Sequence, residues 1–189
     1  MSIEVITGCM FSGKTSELIR RIRVIRRGGK QAIIFKPDID NRYSANAVVT
    51  HDMDEEKSVT VKSAKEILKH LPKDKVVIGV GEAQFFDSYL VDVLEDLNKK
   101  GYRIIVAGLD MDYNQNPFGI MPILLAIASE VTKLKAICSI CGEPTAMYSE
   151  RQTSEKETVL VGVNQYRAVC HKCLNMRNKN KQLSDKAEH

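Results

Sequence analysis

The sequence predicts an α/β fold: a parallel sheet flanked by helices on both faces, followed by a small module organised by cysteines. Three observations carry this. Short aliphatic runs alternate with segments whose apolar residues recur at helical spacing. Gly8-Cys9-Met10-Phe11-Ser12-Gly13-Lys14-Thr15 joins the first run to the first helical segment. From about Ala136 the alternation stops and two Cys-x-x-Cys pairs begin. At 189 residues the chain can bury one substantial core and carry a minor module besides. The expected boundaries are an α/β domain over 1–135, a four-cysteine module over 136–178, and a polar, frayed tail over 179–189.

Ile3–Thr7 reads as a strand and Lys14–Arg27 as a helix ended by Gly28-Gly29. Gln31–Lys36 is a strand stopped by Pro37, Ala64–Leu71 a short helix before Pro72, and Lys75–Val80 a buried strand. Ser88–Lys100 places Leu90, Val93, Leu94 and Leu97 on one helix face, and Gly101 ends it. Tyr102–Ala107 is a strand, Met121–Ser129 a helix and Val131–Ile137 a last strand. Asp38–Thr60 fits this rhythm less well and reads as a loop with weak strands. In such a sheet the ligand belongs beyond the carboxyl ends of the strands.

Composition narrows the function classes. The net charge of +4 is mild and partly local, with Arg20, Arg21, Arg23, Arg26, Arg27 and Lys30 crowding the end of the first helix. Cations there suit the helix dipole, and no aromatic residues interleave them as a nucleic-acid face would require. Met1-Ser2-Ile3-Glu4 leads straight into a strand, and the apolar runs are too short to span a bilayer. The expectation is a soluble, cytoplasmic protein, and in that reducing compartment the five cysteines point to metal rather than disulfides.

The octapeptide is the pattern G-x-x-x-x-G-K-[ST] in the setting it requires, a strand before and a helix after. Its glycines let successive backbone N–H groups turn towards phosphate oxygens, and the following helix adds its positive end. Lys14 can reach the β- and γ-phosphates, and the Thr15 hydroxyl can ligate Mg²⁺. A glycine-rich turn without function is the bland alternative, and the strand–helix context weighs against it. The chain is therefore expected to bind a nucleoside triphosphate through Gly8 to Thr15.

Cys138-x-x-Cys141 and Cys170-x-x-Cys173 are two knuckles able to complete a tetrahedral thiolate site for structural zinc. The insert between them is longer than in ordinary four-cysteine fingers, so it forms a loop or hairpin clamped at its base. Redox-active pairs are the competing reading, but neither pair opens a thioredoxin-like helix. His171 is not expected to be a ligand. Cys9 reads as a small side chain that fits its loop, with activation by a nearby cation as the alternative.

A phosphate loop needs a partner at another strand end. Lys75–Val80 runs into Gly81-Glu82-Ala83-Gln84-Phe85-Phe86, where Glu82 could serve as general base for an attacking hydroxyl. Phe85 and Phe86 could stack a base, one of them being core.

Seven features occur in order: Gly-Cys-Met-Phe-Ser-Gly-Lys-Thr (8–15), Asp-Asn-Arg-Tyr-Ser (40–44), Thr-His-Asp (50–52), Glu-Ala-Gln-Phe-Phe (82–86), Gly-Leu-Asp (108–110), Asn-Pro-Phe-Gly (116–119) and the cysteine quartet. From Ile3 to about Cys173 the chain resembles the thymidine kinases of the cellular type. The resemblance implies a RecA-like P-loop core with a zinc-bound lasso, and transfer of the ATP γ-phosphate to the 5′-hydroxyl of thymidine and deoxyuridine. It implies Glu82 as the base, Lys14 and Arg42 as charge-neutralising groups, Asp40 as support for Arg42, and Thr15 as a Mg²⁺ ligand. Met10, Phe85, Leu109, Tyr113 and Phe118 would line the thymine pocket. The lasso, with Ser149, Val159, Leu160, Val161, Gly162 and Tyr166, would close over the base. A homotetramer and feedback inhibition by thymidine triphosphate are also implied.

One position departs from that pattern. The family carries Asp-Glu where this chain has Gly81-Glu82. Asp110 could help hold Mg²⁺ through a water, Thr15 with phosphates and waters could suffice, or the protein could mainly bind nucleotide. Retained activity with a raised Mg²⁺ requirement is the expectation. A zinc-containing ATPase acting on nucleic acid and a non-catalytic nucleotide-binding module are the competing functions.

Overall fold

The computed structural model describes residues 2–38, 57–152 and 165–177. Six strands form one parallel sheet: β1 (Ser2–Gly8), β2 (Ala32–Pro37), β3 (Ser58–Val61), β4 (Val77–Val80), β5 (Arg103–Gly108) and β6 (Glu130–Leu134). Their spatial order is β3-β2-β4-β5-β1-β6, and every pairing is parallel. All carboxyl ends therefore open on one edge.

Side-chain alternation along the strands builds two cores. On one face, α1 (Lys14–Arg27) buries Leu18, Ile22 and Ile25 against Ile6, Ile34, Val77 and Ile105. Each such side chain contributes about 1.5–3 kcal/mol. On the other face, α2 (Tyr89–Lys99) and α3 (Met121–Ile127) bury Leu90, Leu94, Leu97, Met121 and Leu124 against Val5, Ile78, Ile104 and Val106. The α/β class with helices on both faces is the one expected.

Three expectations change in detail. The short helix expected over Ala64–Leu71 is a 3-10 helix over Ala64–His70 and buries only Ala64 and Ile67. Too few apolar positions follow for a full α-helical face. Ser58–Val61, at the end of the segment read as a loop with weak strands, is the edge strand β3, pairing with Ile34–Pro37 of β2. Its four residues give too short a pattern to read alone. The last strand of the sheet stops at Leu134 instead of Ile137, because the chain leaves the sheet for an isolated bridge between Ala136 and Ala146.

Beyond that bridge, β7 (Tyr148–Arg151) and β8 (Tyr166–Val169) form an antiparallel pair between the cysteine knuckles, so of the loop or hairpin expected there it is the hairpin that forms. No helix among the described residues is long and apolar enough to cross a membrane.

Two cations of the arginine-rich end of α1, Arg21 and Arg26, are used inside the fold. Glu4, buried in β1, accepts from Arg21 of α1 at 2.9 Å and from Arg103 of β5 at 2.7 Å. Arg21 also donates to Glu17 and to Thr132 of β6, and Arg26 donates to the Ala32 carbonyl. One carboxylate thus joins three neighbouring elements. Burial pushes the Glu4 carboxyl up, but the bonds and charges of Arg103 and Arg21 outweigh it, leaving it below its ordinary value. Bonds from Arg20 and Arg21 bring Glu17 down to about 2.

Groups with depressed folded-state values stabilise above their unfolded values and lose that stabilisation as pH falls. Stability should therefore fall between about pH 4.5 and about pH 2. Glu4→Gln is expected to cost about 1–3 kcal/mol at neutral pH and to flatten that acid-side loss, as read by urea denaturation across pH. An unchanged acid profile would show that the Glu4 network carries no such stability.

Candidate active site

The carboxyl ends of β1, β4 and β5 converge on one place. The loop after β1 runs from Gly8 to Gly13, where α1 begins. Gly8 has φ 142°, and a Cβ there would stand 2.3 Å from the Leu134 carbonyl oxygen of β6. Only glycine lets the loop leave β1 beneath its neighbouring strand. Gly13, at φ 83°, is the N-cap of α1. Ser12 Oγ and Lys14 Nζ both donate to the Cys9 carbonyl, at 2.8 and 2.7 Å. Lys14 is nine-tenths buried; burial lowers its pKa, and the charges of Glu82 and Asp110 oppose that shift. Its four-carbon stem can swing Nζ from the carbonyl to an incoming phosphate. Thr15 follows at the helix start, half-buried.

Across the edge, Glu82 stands just past the end of β4. Gly81 extends the ladder by donating to the Phe35 carbonyl at 2.8 Å. Glu82 then takes the left-handed conformation, φ 52°, before the 3-10 turn Ala83–Phe85. A non-glycine residue held there stores strain of about 1–3 kcal/mol, the sort that collects at functional sites. Strand β5 lies between β4 and β1, so the strands that lead into Glu82 and into the loop after β1 are two strand spacings apart, about 9.5 Å. Asp110, at the end of β5, sits in that interval, its Oδ2 2.7 Å from Lys133 Nζ.

The expected pocket residues fall into four separate contacts. Phe85 meets Phe118 edge-to-face, ring centroids 5.5 Å apart, while Phe86 belongs to the core. Tyr113 and Tyr166 meet through Arg151, whose guanidinium lies 3.7 Å from the Tyr113 ring and donates to the Tyr166 hydroxyl at 2.7 Å. Leu109 donates its N–H to the Gln84 side chain. Met10 donates its N–H to Ser149 Oγ at 2.9 Å, joining the phosphate loop to β7. Asp40, Arg42 and Val159–Gly162 lie outside the described residues, as do residues 179–189.

Sequence reasoning passed over Gln84, Arg151 and Lys133. Gln84 stood inside a quoted motif, yet nothing local marks a glutamine as a holder of its neighbour. The partners of Arg151 and Lys133 are distant in sequence.

The four cysteines come together, their sulfurs all within 4.8 Å of one another. Cys141 Sγ and Cys170 Sγ are 3.9 Å apart, close to the roughly 3.8 Å edge of a tetrahedron with zinc–sulfur bonds of about 2.3 Å. The Cys170 N–H points at Cys138 Sγ, as knuckle amides do around a bound thiolate. All five cysteines are free thiols, so the donor set fits zinc better than a redox pair. His171 is engaged elsewhere, by the Tyr148 hydroxyl and the Asn175 amide. Cys9 is the small, fitted side chain expected. It packs with Ala136, Cys138, Ala146 and Cys170, and burial pushes its thiol up against the pull of Lys14.

Protein purified under reducing conditions is expected to carry about one zinc per chain by elemental analysis. Cys170→Ser should lose it and melt at lower temperature. Zinc-free protein with all thiols reactive and unchanged melting would remove the metal centre.

A glycine-containing strand–loop–helix turn, a glutamate at the end of another strand of the same sheet, and a four-cysteine cluster at the base of a strand pair bonded to that turn stand together in the described residues. The family model described as thymidine kinase matches residues 1–174, from β1 through the last cysteine. The chain belongs to the thymidine kinase family and is by that membership a kinase, a phosphotransferase.

Proposed function

We propose that this kinase moves the γ-phosphoryl of ATP to the 5′-hydroxyl of thymidine, and of deoxyuridine, producing the monophosphate for DNA-precursor salvage. The supporting observation is the position of Glu82 across one intervening strand from the phosphate loop. That gap suits a phosphoryl group in flight between a donor oxygen and an attacking hydroxyl. The Glu82 carboxylate accepts the 5′-hydroxyl proton as the O5′–Pγ bond forms, and the bond from Pγ to the β-phosphate oxygen breaks, releasing ADP. Lys14 and Arg42 neutralise charge on the transferring group, with Asp40 supporting Arg42. Backbone N–H groups of Gly8 to Thr15 hold the donor phosphates.

The nucleoside side consists of Met10, Phe85, Leu109, Tyr113 and Phe118, closed by the lasso with Ser149, Val159, Leu160, Val161, Gly162 and Tyr166. A lasso closing over the base also keeps water from the phosphoryl. The module over 136–178 acts as that lid on a domain over 1–135. By the family's pattern, the enzyme is a cytoplasmic homotetramer inhibited by thymidine triphosphate. Pairing of Arg21 and Arg26 within the fold weighs against an enzyme acting on nucleic acid.

Mg²⁺, when bound, neutralises phosphate charge. Thr15 offers a hydroxyl for it, and Asp110 a buried carboxylate already engaged with Lys133. Gly81 offers no side chain. The residues present fit the ion with fewer protein donors than a carboxylate at position 81 would give, hence a raised Mg²⁺ requirement.

Incubation with ATP, Mg²⁺ and single nucleosides should yield thymidine and deoxyuridine monophosphates. Glu82→Gln should cut the rate by at least about a hundredfold with ATP binding retained. ATP hydrolysis stimulated by DNA, without a nucleoside product, would overturn the proposal. Gly81→Asp should lower the Mg²⁺ concentration for half-maximal rate, and an unchanged Mg²⁺ dependence would show that position 81 is irrelevant to the metal.

A further inference from the structure

We propose that Gln84 is a positioning residue that aims the Glu82 carboxylate and ties it to the floor of the nucleoside pocket. This rests on the reading of Glu82 as the base. Gln84 is buried, 4% exposed, although it sits in a turn at the sheet edge. Its amide makes two bonds. Nε2 donates to Glu82 Oε2 at 2.7 Å, and Oε1 accepts the Leu109 N–H at 3.0 Å.

The two bonds determine each other. A backbone N–H can only donate, so Leu109 selects the amide oxygen for its side. The NH₂ group must then face Glu82, where it needs an acceptor, which an ionised carboxylate supplies. Turning the amide over would set donor against donor and acceptor against acceptor in a buried place. Oε2 of Glu82 is thereby committed, and Oε1 is left for the proton of a nucleophile.

The fold clears a slot for this amide. A Cβ at Gly108 would stand 2.9 Å from Gln84 Oε1 and 2.6 Å from the Met121 sulfur. Gly119, at φ 53°, passes so close that a Cβ would lie 2.4 Å from the Gln84 carbonyl oxygen. Both glycines belong to motifs quoted above, Gly-Leu-Asp and Asn-Pro-Phe-Gly. Their smallness admits the backbone and amide of Gln84. Leu109 lies at the end of β5 among the expected pocket residues, so base and pocket floor share one side chain. Misplacing a reacting group by about 1 Å can cost on the order of a hundredfold in rate, which is the effect such a tether prevents.

Three variants of the full chain test this. Gln84→Met keeps the length and removes both bonds. Its kcat should fall on the order of tenfold or more, with the thymidine KM within about threefold of the parent. Gln84→Glu still accepts the Leu109 N–H and fills the same slot, but turns a second carboxylate towards Glu82. Two carboxylates in contact resist joint ionisation, so this variant should be slower than Gln84→Met at neutral pH. A merely structural Gln84 gives the opposite order, with loss of activity following loss of melting temperature, and that result overturns the proposal. Glu82→Ala separates the two ideas. If it stays active, the base reading falls. If it is inactive while both Gln84 variants keep the parent kcat, only the role of Gln84 falls.

Discussion

The order of the sheet places one strand, β5, between the strand that ends in the phosphate loop and the strand that ends in Glu82. That placement sets a separation of about 9.5 Å across the edge. The end of β5 meanwhile supplies Leu109 and Asp110 to the interval, one bonded to Gln84 and the other paired with Lys133. The hydrophobic cores on both faces hold this order rigidly, because each strand buries alternate side chains in opposite layers.

The second constraint lies between the phosphate loop and the cysteine module. Gly8 pairs side by side with Leu134 at the end of β6, the last residue of the sheet before the chain enters the module, and a Cβ on Gly8 would strike its carbonyl. Cys9 is buried within the module's own apolar cluster, and Met10 is hydrogen-bonded to Ser149 of β7. Three successive residues of the loop are thus shaped by chain that follows more than a hundred residues later. Such support holds a loop that alone would sample many conformations. The four-thiolate cluster closes the base of the hairpin that provides the support.

Much of the molecule was legible before folding was considered. The runs Ile3–Thr7 and Tyr102–Ala107 and the spacing of Leu90, Val93, Leu94 and Leu97 carry strong periodic signals, so their elements appear as read. The short edge strand Ser58–Val61 carries too few residues for a period, and the 3-10 form of Ala64–His70 depends on how little of it packs. In the site, Lys14, Glu82 and the cysteines announce themselves by type and spacing. Gln84, Arg151 and Lys133 do not, because their roles are defined by partners from other elements.

The sequence by itself determined the chemistry on offer: a glycine-rich cradle with its lysine and threonine, a strand-end glutamate behind Gly81, and four thiolates in two pairs. Those groups follow from local spacing, which sets dihedral freedom, helix dipoles and ligand reach within a few residues. Only the tertiary structure decided how they face one another. Strand order, the burial of Cys9 under the hairpin and the amide bridge from Glu82 through Gln84 to Leu109 all join residues distant in sequence or turned back by a loop. Their physical basis is the close packing of two cores and the requirement that buried polar groups find partners, and neither is written in any single stretch of chain.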